Sequence, residues 1–224
     1  MKKTLWLLLY YPLQLLGAVL ALYPVLALLC FLFGANSLFG TYLTGYSFAF
    51  LLCAVLCAVQ ATATYCPLAL SLGATRRDAR LQGATRRALQ AGVAAVWVIF
   101  SLLGQAVSML LNQVTFALFP SERLSREFVY GISRDPLPGL GVTLFIVGAS
   151  LWTGALQRKQ STILRQVLLV LFDIVIYAQV FVFMALSVFA AQALPLYGGV
   201  LALLGLVFTA DAVRRMKTLA VSQV

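Results

Sequence analysis

The chain contains no histidine. That absence excludes Ser-His-Asp and Cys-His catalysis, His-ligated zinc and imidazole proton relays. Acidic residues are scarce too: six Asp and Glu stand against sixteen Lys and Arg. No Gly-x4-Gly-Lys-Ser/Thr loop occurs, so the usual cradle for nucleotide phosphates is missing. The chain is therefore expected to have no catalytic site, metal or cofactor of its own. Cysteine is sparse: Cys30, Cys53, Cys57 and Cys66 all lie in or beside apolar runs. Cys53 and Cys57 share a helix face, but side chains on one helix rarely meet disulfide geometry. All four read as small apolar residues.

What fills the chain instead is apolar. Of its 224 residues 62% are hydrophobic and only 10% charged, against about 25% charged in a soluble domain. The apolar residues come in runs near the roughly 20 residues that a membrane-crossing helix needs. The fold class expected is therefore all-α: a polytopic membrane protein forming one transmembrane domain over residues 1–224. Six spans can be drawn, near 13–33, 46–63, 88–111, 137–156, 167–191 and 194–212. The first apolar run is too long for a signal-peptide core of about 7–15 residues, so it reads as a retained span.

Charge placement supports the count. Thirteen of the sixteen Lys and Arg fall before span one, between spans two and three, between four and five, or after span six. With six spans all four places share one side. Basic residues in short loops mark the cytoplasmic side, so both termini are expected there. The same rule accounts for the net charge of +10 without nucleic acid. The other three, Arg123, Arg126 and Arg134, lie in the external loop expected over 112–136, balanced by Glu122, Glu127 and Asp135. Within that loop a short helix is expected from Ser121, with Glu122 and Arg126 paired at i, i+4. Phe116, Phe119 and Phe128 are placed in the headgroup region.

Small residues at spacing four, Gly17 with Ala21, Ser150 with Gly154 and Gly198 with Ala202, let helices approach closely in lipid. Asp173 is the one acid clearly inside a span, ~10 Å up from Gln166. A charge at that depth is costly and is a functional candidate by default. Tyr177 lies one turn above it. The plainer expectation is an ion pair with an Arg or Lys from a neighbouring helix. Asp211, beside Arg214 and Arg215, reads as an interfacial pair. Gln60, Gln105, Gln179 and Gln192 either line a path or bond helices together.

The most basic segment is 67–87, between spans two and three. Pro67 is expected to end span two, because the residue before proline avoids helix. Residues 67–81 then form a short amphipathic helix on the inner membrane surface. Its Arg side chains suit an acidic groove on a soluble partner. The second Gly-Ala-Thr-Arg-Arg string, at 83–87, faces another way and reads as a basic flank.

The string Ala69-Leu70-Ser71-Leu72-Gly73-Ala74-Thr75-Arg76-Arg77-Asp78 resembles the first cytoplasmic loop of small ABC-2-type permease subunits. These are the membrane halves of bacterial ATP-binding-cassette transporters. Importer permeases carry a similar string late in the chain, after Glu-Ala-Ala. Here Pro67-Leu68-Ala69 precedes it and it lies early, which favours the exporter-like class. The resemblance implies an ABC-2-like bundle in the bacterial cytoplasmic membrane. It also implies a second membrane subunit, identical or different, and a separate ATPase subunit holding ATP and Mg. Coupling to that ATPase would fall to Leu70, Ser71, Leu72, Gly73, Ala74, Thr75, Arg76, Arg77, Asp78 and Arg80. Two other classes share the topology. One is an ion-coupled carrier or channel centred on Asp173, and the other a non-transporting immunity or sensor protein.

Overall fold

The computed structural model describes residues 2–34, 38–69, 79–119, 135–157 and 163–217. Every element in them is helical, with no strand among the described residues. Six helices are long and apolar enough to cross a membrane: Leu8–Phe33, Tyr46–Ala69, Arg87–Leu118, Pro136–Gln157, Gln166–Phe189 and Ala191–Met216. They are spans one to six of a multi-pass membrane protein. Helices are what lipid demands, because a backbone without water must satisfy its N–H and C=O groups within each segment.

Several boundaries differ from expectation. The first helix starts at Lys2 rather than 13, running unbroken through Pro12 and Pro24. Span two does not stop before Pro67 but continues to Ala69. The reason is the π-helical turn Ala61–Tyr65 just ahead, where the Cys66 N–H reaches back to the Ala61 carbonyl. That wider turn relieves the clash of a proline ring with the carbonyl one turn back. The span-three helix runs from Ala79 to Leu118, so it extends eight residues, ~12 Å, before its apolar stretch. Residues 79–81 therefore belong to a continuous helix rather than to a separate surface helix. Its other end also overruns: Asn112 and Thr115, expected in the external loop, are buried in helix. Phe119 is partly buried and packs against the apolar core. Residues 120–134, with the expected Ser121 helix and Glu122–Arg126 pair, lie outside the described residues. A 3-10 turn, Ala191–Ala193, joins spans five and six.

Span four is the hub. Its apolar stretch is 78% buried, against 17% for span one and 22% for span five. It packs on span six through glycines seven apart on both helices. A Cβ on Gly141 would strike the backbone of Gly198, and one on Gly148 the backbone of Gly205. Seven residues is two helical turns, so the seam stays in register along two parallel helices. A second face of span four takes span two: Gly154 leaves room for Thr62, whose hydroxyl donates to the Leu151 carbonyl at 2.9 Å. Gly17, by contrast, has nothing within 4 Å of where its Cβ would stand. The Gly17–Ala21 pair is not a seam within this bundle. In lipid such close approach is what holds helices together, since tails are as apolar as the side chains.

Candidate functional site

The expected coupling residues divide across the structure. Leu70, Ser71, Leu72, Gly73, Ala74, Thr75, Arg76, Arg77 and Asp78 lie outside the described residues. Arg80 belongs to the helix Ala79–Leu118. What the structure does describe is where this segment is rooted. Cys66 and Ala69 at the end of span two and Leu89 at the base of span three are buried in one apolar cluster. Ala212 and Met216 of span six complete that end of it. Gln90 adds a polar tie, its Nε2 donating to the Val213 carbonyl at 3.5 Å.

One turn deeper, span six is locked to span four. Trp152 Nε1 donates to Asp211 Oδ2 at 2.8 Å, and Arg215 Nε donates to the same oxygen at 2.6 Å. The Arg215 guanidinium lies 6.0 Å from the centroid of the Trp152 ring, within the range of cation–π attraction. Phe172 of span five and Phe208 of span six wall the indole, with ring centroids 5.5 and 5.1 Å away. Asp211 thus has an ion pair with Arg215 at i, i+4, and also the indole N–H, which sequence reasoning missed. An aspartate and a tryptophan 59 residues apart leave no local signal. Replacing Trp152 by Phe keeps most of the packing but removes the donor. The expected cost is about 1.5 kcal/mol, the low end for a bond to a charged group. It is low because the Asp211 side chain is 36% exposed. Thermal unfolding in detergent measures it.

Asp173 is half-buried and lies beside Thr153 of span four, whose hydroxyl donates to the Ser150 carbonyl at 3.0 Å. Among the described residues no cation pairs with it, so the ion pair expected for it is not found there. Tyr177, one turn on, turns elsewhere: its hydroxyl donates to the Phe48 carbonyl of span two at 3.0 Å. Its ring meets Phe48 edge-on. Asp173 lies beside span four while Tyr177 ties span five to span two, so the two do not converge on one site. Gln179 accepts from the Tyr197 hydroxyl at 2.7 Å, a helix-joining role. Gln60 and Gln192 are exposed.

Span three carries a polar seam of which the sequence reading singled out only Gln105 as a path-lining or helix-bonding residue. Ser101, Gln105, Ser108, Asn112 and Thr115 recur at steps of four and three, and all are buried. That spacing keeps them on one helix face. Thr115 Oγ1 lies 2.8 Å from the Tyr23 hydroxyl of span one, and Ser108 donates to the Ser47 carbonyl of span two at 3.2 Å. Such bonds average about 0.6 kcal/mol in membrane bundles, so the seam orders spans one to three more than it stabilises them. Ser101 Oγ has no hydrogen-bond partner among the described residues.

No family model, curated protein or solved structure matches the chain. A functional reading therefore rests on its own residues. The described residues hold no group of three or more His, Cys, Asp or Glu placed to bind a metal.

Proposed function

We propose that this chain is the transmembrane subunit of an ATP-binding-cassette exporter of the ABC-2 type. It stands in a bacterial cytoplasmic membrane, with both termini in the cytoplasm. The observation that carries the reading is the string at residues 70–80 in the basic connection between spans two and three. Five Arg alone would hold that connection in the cytoplasm, but topology has no use for Leu72-Gly73-Ala74-Thr75. The docked partner is an ATPase subunit that binds ATP and Mg, and a second membrane subunit completes the transporter.

The packing supports a route for coupling. Closure of the ATPases pulls on 70–78. Its two roots share an apolar cluster with Ala212 and Met216 of span six. Asp211 and Arg215, on that same helix end, grip Trp152 of span four. The glycine seam then makes spans four and six move together, while the π-turn in span two supplies the place to bend.

Purification from the native host in mild detergent tests the reading. An ATP-hydrolysing subunit that co-purifies and drives transport in reconstituted vesicles is expected. Transport that ignores ATP and follows a proton gradient would instead favour the carrier centred on Asp173. The two readings also part on one substitution. Asp173→Asn is expected to leave ATP-driven transport within about twofold, since the isosteric amide keeps the packing and strands no partner charge among the described residues. An ion-coupled carrier would lose nearly all activity.

A further inference from the structure

The bases of spans three and six carry cations that no ion pair neutralises among the described residues. Arg87 and Arg214 are both exposed, and among the described residues neither forms an ion pair. Asp211, the nearest acid along span six, is bonded to Arg215 and attracts Arg214 only at longer range. The Gln90–Val213 hydrogen bond brings these two helix ends together. Arg87 stands one turn before that contact and Arg214 one residue after it. Arg87 opens its apolar stretch and Arg214 lies within a turn of the end of its own, and such ends are where a bilayer gives way from tails to headgroups.

The surface running into the membrane from each cation is apolar and exposed. On span three Ala91, Ala94 and Val98 continue the face of Arg87 at i+4, i+7 and i+11. On span six Ala210, Val207 and Leu203 continue the face of Arg214 at the same intervals in the other direction. The alanines nearest the base leave the two helix surfaces shallow there, where a tail must enter beneath its headgroup.

The geometry points to a binding site for an anionic phospholipid at the base of spans three and six. Arg87 and Arg214 take the headgroup phosphate, and the acyl chains lie along the two apolar faces. Charge complementarity selects the occupant: basic clusters between helices at the cytoplasmic surface recognise anionic headgroups. Guanidinium suits a phosphate better than an ammonium does, because its donors form a fixed fork. The site does not depend on an ATPase partner and stands if the transporter reading falls.

Native mass spectrometry of the purified chain, titrated with phosphatidylglycerol or phosphatidylcholine, tests it. The wild type is expected to retain phosphatidylglycerol preferentially. Arg87→Gln with Arg214→Gln is expected to weaken that binding on the order of thirtyfold and to leave phosphatidylcholine unchanged. Arg158→Gln with Lys159→Gln removes the same charge elsewhere and is expected to stay within about threefold, since only diffuse attraction is lost. Three results would overturn the site: an unchanged double variant, equal loss in the charge-matched control, or displacement of the lipid by inorganic phosphate. The wild-type comparison decides without any variant, because equal affinity for the two lipids also overturns it.

Discussion

Reversing Arg76 and Arg77 together to Glu is expected to abolish ATP-driven transport and to strip the ATPase subunit from the purified complex. If these side chains meet an acidic groove, each reversal replaces an attraction with a like-charge contact that costs several kcal/mol. Docking weakened about 100-fold or more is a conservative expectation for the pair. The bundle itself should be untouched, because no side chain of the buried clusters is altered and surface changes usually stay within about 0.5 kcal/mol. The thermal midpoint of the purified membrane subunit checks that half of the expectation. Co-purification and transport in vesicles check the other half. Wild-type levels of both in the double variant would remove residues 70–80 from the coupling route.

Gly148→Ala is expected to be among the most damaging small changes in the membrane. The added Cβ would meet the carbonyl of Gly205 and the hydroxyl of Thr209. Thr209 can turn aside, but the Gly205 backbone moves only if spans four and six separate. Overpacking of this kind costs about 1–3 kcal/mol, and a backbone obstacle puts this site at the upper end. Gly141→Ala meets the Gly198 backbone more closely still and is expected to cost at least as much. Gly17→Ala is the control. Its Cβ would enter open space, and alanine is the better helix former by about 1 kcal/mol. Thermal unfolding in detergent should show a lower midpoint for Gly148→Ala and no loss for Gly17→Ala. Equal behaviour of the two would mean that the seam does not hold spans four and six together.

The number of spans was readable because the bilayer sets the rule and the sequence obeys it in two independent ways. Apolar run length gives six segments, and the basic residues fall where an even number of crossings puts them on one side. Helix ends were less readable. Span two passes through Pro67 because the π-turn Ala61–Tyr65 widens the helix ahead of it, and the proline rule describes only the ordinary α-helical turn. Span three overran at its far end because Asn112 and Thr115, polar by type, are satisfied inside the bundle. Tyr23 answers Thr115 there.

The packing seam was half readable. Small residues at spacing four pointed to Gly154 and Gly198, which do meet other backbones. The register that matters for spans four and six is seven, through Gly141, Gly148, Gly198 and Gly205. A single-helix pattern does not show which glycines find a partner, and Gly17 finds none in this bundle. Asp211 and Trp152 were out of reach for a related reason. Their hydrogen bond exists only because the glycine seam lets spans four and six run side by side. Asp173 shows the limit from the other direction. Its depth was plain from the sequence, but the cation expected to pair with it is not found among the described residues.

Site-specific photo-crosslinking tests the central claim most directly. A photoreactive amino acid is placed at position 72, inside the expected docking segment, and at position 121, in the loop expected on the opposite side. Both are irradiated in native membranes, and the adducts are identified by mass spectrometry. The account predicts an adduct from position 72 with a subunit carrying the Gly-x4-Gly-Lys-Ser/Thr loop that this chain lacks, and none from position 121. An adduct with that subunit from position 121, or from neither position, would contradict it.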